Sequence, residues 1–188
     1  MVARRARSCE RQSVVVVASG RRDFRKFPGS RVTSATFLEG GIRVPAMVSY
    51  PAKLPQGQTR DQIVTIMDWF PTVLELCHIK QESSAPKLDG HSMTSVLADP
   101  KAASAHEVLH FAWARKWAVR RGDWKLVGTF DAKTSALSLS LHNLAEPNPE
   151  VKDHAKEQPE TVKELTALHE AWAKEVELKS TGGQRIQK

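Results

Sequence analysis

The chain has 188 residues, of which 40% are hydrophobic and 26% are charged. This composition is typical of a soluble globular protein, and the length suits one ordinary domain or one domain with a tail. The net charge of +7 is concentrated in residues 1–33, which hold nine basic and two acidic side chains, while the rest of the chain carries 19 of each. A neutral body without an aromatic RNA-binding motif or a helix-turn-helix pattern argues against a nucleic-acid binder.

The basic arm contains a short β-branched run, Val14–Ala18, which predicts one brief buried strand. The run is too short for a membrane span or for the apolar core of a signal peptide, so we predict neither, and the compartment stays open. Cys9 lies in the arm, and Cys77 lies at the end of a predicted helix. Nothing in their spacing requires a disulfide, and a buried thiol is the expected state.

The segment EGGIRVPAMVSYP begins at Glu39 and alternates apolar with other side chains. The alternation predicts a half-buried strand over Ile42–Tyr50, and Pro45 makes it an edge strand. Gly40-Gly41 predicts a tight turn with positive φ or a close backbone approach. Glu39 could contact a cation or bond the amides of its own loop. Arg43 could hold an anion or pair with a nearby acid.

Two short helices are predicted after this strand. Asp68 can cap a helix reading WFPTVLELC, since Pro is tolerated in a first turn. Its apolar stripe would comprise Phe70, Val73, Leu74 and Cys77. Ser92 can cap the short helix MTSVL, which should end at Asp99-Pro100.

From Glu107 the hydrophobic period changes to two. Four segments, EVLHFAW, KWAVRR, WKLVGTF and LSLSLHNL, predict short strands, and Gly122-Asp123 predicts a hairpin turn between two of them. Trp117 and Trp124 flank this turn and could meet across the ladder. Pro159 opens a final amphipathic helix, whose predicted apolar face comprises Val162, Leu165, Leu168, Trp172 and Val176.

Five segments, in this order and spacing, resemble the carboxy-terminal part of the sulfatase family, which belongs to the alkaline-phosphatase-like hydrolases. They read EGGIRVP, MDWFPTVLELC, KLDGHSMTSVL, WAVRRGDWKLV and LHNLAEPNPEVKD. The resemblance runs from about Glu39 to about Val176. It implies an α/β fold: the C-terminal part of a sulfatase, ending in a small α+β subdomain of about four antiparallel strands and a C-terminal helix.

The resemblance also implies a domain organisation. Residues 1–33 would be a basic arm with one short strand, residues 34–105 a remnant of the sulfatase core, residues 106–178 the α+β subdomain, and residues 179–188 a flexible tail. Glu39, Gly40, Gly41 and Arg43 would flank the sulfate pocket. The chain would hold only one or two strands of a mostly parallel main sheet, which leaves apolar surface open.

The positions that do chemistry in the family are altered in this chain. The family's nucleophile is a formylglycine made from Cys or Ser in a Cys/Ser-x-Pro-x-Arg motif, whereas Cys9 is followed by Glu-Arg-Gln-Ser. Family calcium is held partly by an Asp-Asn pair after a hydrophobic strand, and here only Asp23 follows Val14–Ala18. Ser34 stands where the family places a sulfate-binding lysine. We therefore expect no catalytic residue and no metal site in this chain, with calcium confined to the intact family.

His106 and His110 have the spacing of helical metal ligands, but they lie in a strand-like segment without a Cys or Glu partner. This context favours ordinary surface or half-buried histidines. No Ser-His-Asp constellation or Gly-rich phosphate cradle is evident.

Three functional hypotheses remain. The first is a C-terminal portion of a sulfuric ester hydrolase, inactive alone and acting on a sulfate ester only when completed. The second is a binding or scaffolding module that completes or competes with a full-length relative. The third is a basic-arm nucleic-acid binder on an unrelated α+β domain. For the first two, the expected partner is the missing N-terminal sulfatase portion or a full-length relative.

Overall fold

A computed structural model describes residues 15–16 and 37–176 of the chain. Most of the basic arm, with Cys9, Asp23 and Ser34, lies outside the described residues, and so does the tail. The elements in chain order are β1 (Val15–Val16), α1 (Glu39–Ile42), β2 (Val48–Ser49), a 3-10 turn (Ile66–Asp68), α2 (Trp69–Leu76), α3 (Thr94–Ala98), β3 (Val108–Trp113), β4 (Lys116–Arg121), β5 (Trp124–Phe130), β6 (Leu137–Asn143) and α4 (Pro159–Glu175). No helix within these described ranges combines the length and apolarity needed to cross a bilayer.

The described residues fall into two compact units. The first unit contains β1 and residues 45–105, and the second contains residues 37–44 and 106–176. The Glu-Gly-Gly turn therefore belongs to the unit of the C-terminal sheet, although β2 follows it closely in sequence. The sequence predicted the turn and the strand as one continuous feature.

The predicted strand over Ile42–Tyr50 is much shorter in the structure. Only Val48–Ser49 is extended in a ladder, and it pairs antiparallel with Val15–Val16. Glu39–Ile42 forms a single helical turn, in which the Arg43 amide donates to the Glu39 carbonyl. Pro45 has no amide hydrogen to extend a ladder towards the turn. The antiparallel pairing also differs from the mostly parallel main sheet that the resemblance implies.

Of the two alternatives predicted for Gly40-Gly41, positive φ does not occur. Neither Gly40 nor Gly41 has positive φ; both lie in the helical turn α1. The Gly41 amide donates to the Leu38 carbonyl at 2.8 Å, so the tight turn itself is present. Val44, which the alternation assigned to the buried face, is 78% exposed.

In the first unit, Asp68 acts differently from a simple helix cap. Its carboxylate accepts from the Thr65 amide at 2.6 Å and from the His91 amide at 2.8 Å, whereas α2 receives no side-chain cap from it. The backbone of Gly90 packs directly against that of Met67. A Cβ on residue 90 would lie 2.1 Å from the Met67 carbonyl oxygen. The MDWF and LDGH motifs are therefore joined through backbone, which explains the need for glycine there.

Helices α2 and α3 otherwise follow the predicted bounds. Helix α3 ends at Ala98, directly before Asp99-Pro100, and the Ser92 hydroxyl accepts from the Thr94 amide at 3.3 Å. Cys77 is a free and exposed thiol, which corrects the expectation of a buried one. The predicted stripe on α2 is also largely exposed among the described residues, with Phe70 at 58% and Val73 at 41%.

The second unit contains the predicted four-stranded antiparallel sheet in the order β3-β4-β5-β6. Gly122 has φ of +57° in the hairpin between β4 and β5, whereas Asp123 does not have positive φ. This is the pattern of a type II′ turn, which has Gly at its first central position. The sheet's apolar face packs on α4 around a buried core of Trp117, Val119, Leu126, Leu141 and Leu165. Helix α4 begins at Pro159, as predicted.

Trp117 and Trp124 have separate partners and do not form the predicted pair. The register places Trp117 opposite Gly128 and Trp124 opposite Arg121. The two tryptophans are therefore four residues apart along the ladder, roughly 13 Å at the rise of a strand. Trp117 stacks on His169 of α4, and Trp124 contacts the ring of His154 edge-on.

Candidate functional site

The Glu-Gly-Gly turn is attached to the polar face of the second unit's sheet through Lys125. This lysine is in the middle of β5 and is fully buried. Its ammonium donates to Glu39 Oε1 at 2.9 Å and to Glu150 Oε1 at 2.8 Å. An ammonium group is stable in the interior only when it is paired and hydrogen-bonded, and the two carboxylates meet that condition.

Glu150 completes the connection from the other side. Both of its carboxylate oxygens accept from the Glu39 backbone amide, Oε1 at 2.9 Å and Oε2 at 2.8 Å. Glu150 has φ of +69°, a left-handed conformation that is uncommon for a residue with a side chain. We refer to Glu39, Lys125 and Glu150 as the carboxylate–lysine clamp.

Two arginines lie near the second oxygen of Glu39. Arg120 Nη1 is 3.7 Å from Oε2, and Arg43 Nη1 is 3.9 Å from it. Within the described part of the chain this oxygen accepts no hydrogen bond, although it is buried. The side chain of Arg43 is 54% exposed, so its ion pair with Glu39 is weak. Glu39 is therefore surrounded by three cationic side chains, and Lys125 supplies the strongest contact.

The loop that carries Glu150 is held against the edge strand β6. The Leu141 amide donates to Asp153 Oδ1 at 2.9 Å, and the His154 amide donates to the Leu141 carbonyl at 2.8 Å. His142 Nδ1 lies 3.0 Å from the Lys152 carbonyl oxygen. Hydrogen bonds from Leu141 and Ala155, with the charges of His142 and His154, lower the pKa of Asp153 although desolvation by burial, its largest single influence, raises it. The motif LHNLAEPNPEVKD thus folds back onto its own strand and presents Glu150 to the turn.

The chemistry available to the clamp is structural. A calcium ion needs several carboxylate or carbonyl oxygens that are not already bound to cations. Both Glu39 and Glu150 are bound to Lys125, so these two carboxylates are poor calcium ligands. A carboxylate engaged by an ammonium is also a poor general base. The clamp can hold the turn in place.

The predicted pocket-flanking residues lie together on the turn, but the residues that hold them were not predicted. Glu39, Gly40, Gly41 and Arg43 occupy α1 and the residue that follows it. The Glu39 carboxylate is paired with the ammonium of Lys125, and Arg43 lies 3.9 Å from the same carboxylate. Lys125 was missed because a lysine within a strand normally faces solvent.

A second cluster lies between the sheet and α4. His110 stacks on Trp172 with ring centroids 4.8 Å apart, and Trp117 stacks on His169 at 4.1 Å. Burial and the neighbouring His169 lower the pKa of His110 to about 4, and burial lowers the pKa of His169. His110 is half-buried in β3, in agreement with the structural interpretation of this histidine.

An open depression of about 350 Å³ in the first unit is lined by Lys53, Leu54, Glu75, Leu76, His78, Thr94 and Ala98. The Lys53 ammonium donates to the Leu76 carbonyl at 3.0 Å and to His78 Nε2 at 2.7 Å. This lysine therefore caps the carboxyl end of α2.

The four-stranded antiparallel sheet with its C-terminal helix is the fold expected of a sulfatase C-terminal region, and comparison with known proteins agrees. The sequence model of the family described as N-sulphoglucosamine sulphohydrolase, C-terminal, matches residues 34–174, which is most of the chain. The chain belongs to this sulfatase family.

Individual relatives match smaller shares of their own length. Human arylsulfatase D is 41% identical over 73 residues, which are 38% of this chain and 12% of that protein. An uncharacterized sulfatase of Schizosaccharomyces pombe is 27% identical over 145 residues, 72% of this chain and 26% of that protein. A solved structure described with the metabolism of multiple glycosaminoglycans by Bacteroides thetaiotaomicron has a TM-score of 0.53 at 20% identity, and the match covers 71% of this chain and 31% of that chain.

The chain thus spans between 12% and 26% of the length of these two curated relatives. The family and the fold are established by the matches. The activity of the whole relatives is a separate matter, because most of their length has no counterpart in the match.

Proposed function

We propose that this chain supplies the non-catalytic C-terminal part of a sulfatase and does not hydrolyse sulfate esters by itself. The observation that carries the proposal is the carboxylate–lysine clamp, in which Lys125 is fully buried against Glu39 and Glu150. The clamp uses the acidic groups nearest the Glu-Gly-Gly turn to attach it to the sheet. A turn held in this way can form part of a pocket wall, but it supplies no reacting group.

The sequence supports the same proposal, because it lacks residues that the catalytic reaction requires. Sulfate ester hydrolysis in the family needs a formylglycine nucleophile, a divalent cation and basic side chains for the charge that develops in the transition state. The 188 residues contain no Cys/Ser-x-Pro-x-Arg segment, and Ser34 replaces the expected lysine. When catalytic groups act as one unit, removing any one of them abolishes most of the catalytic rate.

The activity test uses the purified 188-residue protein, a chromogenic aryl sulfate and a motif-bearing homologue as positive control. We expect no turnover with or without added calcium. The proposal fails if turnover follows this chain through purification and disappears in Glu39→Ala, because the turn would then contain an unrecognised site.

The first unit has exposed apolar side chains, which support the proposal that it binds a partner carrying the rest of the sulfatase fold. Ile66 is 82% exposed, Met67 50% and Phe70 58%, and all three lie on the 3-10 turn and α2. Contiguous exposed apolar side chains mark an interaction surface. Burying one such side chain fully is worth about 1.5–3 kcal/mol. The expected partner is a polypeptide with the N-terminal sulfatase portion. Its mostly parallel sheet needs a helix to cover its face.

The partner is tested by co-expression with a tagged N-terminal sulfatase portion that bears the formylglycine motif. We expect co-purification with the wild-type chain and its loss in Phe70→Glu. Val151→Glu is the matched control, since Val151 is 67% exposed in the loop of the other unit. Equal loss in both variants, or co-purification unaffected by Phe70→Glu, would contradict this face as the contact. Binding to an intact full-length relative in the same assay would instead favour the scaffolding hypothesis.

A further inference from the structure

The backbone and the side chain of Glu39 are held by the same two residues. Its amide donates to Glu150, its carboxylate accepts from Lys125, and Lys125 also donates to Glu150. The contacts form a closed ring from the Glu39 main chain to its own side chain. Two attachments to one residue fix its orientation as well as its position, which one hydrogen bond cannot do.

The side chains of the ring are well shielded from water. Lys125 has a fully buried side chain, while those of Glu39 and Glu150 are 10% and 8% exposed. Charge-assisted hydrogen bonds at such sites are stronger than neutral ones. Losing one partner also leaves another charge uncompensated. These contacts therefore have the strength to hold the turn against thermal motion.

Glu150 adopts a costly backbone conformation in order to reach this position. Its φ of +69° is unfavourable for a residue with a Cβ. Such strain persists only where surrounding contacts impose it. The loop contacts at Leu141, Asp153 and His154 hold the chain on the C-terminal side of Glu150 against β6. These contacts place the Glu150 carboxylate, which comes from a loop at the edge of the sheet, next to the Glu-Gly-Gly turn.

We propose that Glu150 is a positioning residue whose carboxylate, held by Lys125, sets the backbone of the Glu-Gly-Gly turn. This inference rests on the proposed function, since the turn borders a sulfate pocket only in a sulfatase. In the completed enzyme, the C-terminal subdomain would control the geometry of one pocket wall through this single side chain. Glu150 itself touches no reacting atom.

The test measures hydrogen exchange at the Glu39 amide by NMR in the full 188-residue chain. Removing a charged acceptor costs about 1.5–3 kcal/mol, which corresponds to an acceleration of about tenfold or more. We expect this acceleration at Glu39 in Glu150→Ala to exceed clearly any acceleration at the amide of Leu165 in α4. Glu150→Gln keeps a side-chain acceptor and should restore much of the protection. Glu157→Ala is the control, because Glu157 is a 53% exposed acid of the same region.

Glu150→Gly provides a second variant if Glu150→Ala folds poorly, because glycine removes the carboxylate and also relieves the positive φ. It should show the same fast exchange at Glu39. Unchanged exchange in both variants overturns the proposal, and so does an equal acceleration at Glu39 and Leu165, which would indicate a general loss of stability. The readout involves no sulfate hydrolysis, so it is independent of the activity assay: turnover by the wild-type chain would overturn the proposed function and leave the positioning result intact.

Discussion

Gly128 and Trp117 face each other across the β4–β5 ladder, and the indole ring occupies the space of the missing side chain. A Cβ on residue 128 would lie 2.2 Å from Trp117 Cε2. The ring is held there because it also stacks on His169 of α4 at 4.1 Å. One glycine therefore permits the contact that joins the sheet to the last helix.

Gly128→Ala should destabilise the second unit by about 1–3 kcal/mol, as expected for overpacking. Trp117 must move away from residue 128, and its stack on His169 is lost. Urea denaturation followed by tryptophan fluorescence measures the change. The control is Ser138→Ala, a small change at an exposed position of β6 in the same sheet. An equal effect of both variants would contradict the role of the indole contact.

Lys125→Met should be among the most damaging single substitutions in the described chain. It leaves the carboxylate of Glu150 buried without its ammonium partner and leaves Glu39 with only the longer contacts to Arg120 and Arg43. Breaking a buried pair costs about 3–5 kcal/mol. Replacing Lys125 with Met and both glutamates with Gln should recover much of this loss, because no buried carboxylate is then left without its ammonium partner.

The matched control for Lys125→Met is Lys152→Met. Lys152 also pairs with a glutamate at 2.9 Å, but its side chain is 54% exposed. A surface pair of this kind contributes about 0–1 kcal/mol. The free energy of unfolding in urea should therefore separate the two lysines clearly. Equal losses would mean that the burial of Lys125 has no energetic consequence.

Stability should decrease when the pH falls below about 6.5, the ordinary pKa of histidine. Burial and His169 lower the pKa of His110 to about 4 in the folded protein, and burial also lowers that of His169. The unfolded chain then binds more protons than the folded chain between these values. The histidine contribution is complete above pH 6.5 and is lost progressively towards pH 4.

His110→Phe tests this pH dependence because phenylalanine keeps a ring against Trp172 and does not titrate. The midpoint of urea unfolding should depend less on pH between 6.5 and 4 in this variant than in the wild type. His78→Asn, at an exposed position with φ of 56°, serves as the control. Parallel pH curves for wild type and His110→Phe would show that the cluster is not responsible.

Gly90→Ala should disrupt the first unit locally. The new Cβ would lie 2.1 Å from the Met67 carbonyl oxygen, and backbone atoms cannot move aside as a flexible side chain can. The cost should reach or exceed the upper end of the usual range for overpacking, about 1–3 kcal/mol. The hydrogen bond from the His91 amide to Asp68 would be lost. Hydrogen exchange should accelerate in α2 and stay unchanged in β4 and β5.

The control for Gly90→Ala is Gly57→Asn. Gly57 has φ of +68° and no atom close to its missing Cβ, and Asn tolerates that conformation. It should leave the exchange rates of α2 near the wild-type values. If Gly90→Ala behaves in the same way, the contact between residues 67 and 90 does not constrain the unit.

Local patterns were sufficient for the regular elements of the second unit. Alternation predicted β3 to β6, and the Gly-Asp pair predicted the hairpin. Pro159 marked the start of α4. Each of these signals depends on residues that are neighbours in sequence, so no knowledge of distant contacts is needed. The order of five such motifs was enough to indicate the sulfatase family, which the family match confirms.

The same reasoning failed where two distant segments compete for a residue. The alternation from Ile42 to Tyr50 predicted one strand, but Glu39–Ile42 packs with the second unit and β2 belongs to the first. The predicted stripe of α2 indicated buried residues, although Phe70 and Val73 are exposed. Periodicity shows which side chains share a face, but it does not show whether anything covers that face.

The sequence by itself determined the family, the antiparallel sheet, the final helix and the residues of the Glu-Gly-Gly turn. Only the tertiary structure decided that Lys125 is buried and that Glu150 holds the turn. Lys125 is separated from Glu39 by 86 residues and from Glu150 by 25. A charged side chain is normally exposed, because the free energy lost on removing the charge from water exceeds the free energy gained by packing. That cost is offset here only by partners that the folded chain brings together, so no local pattern could reveal it.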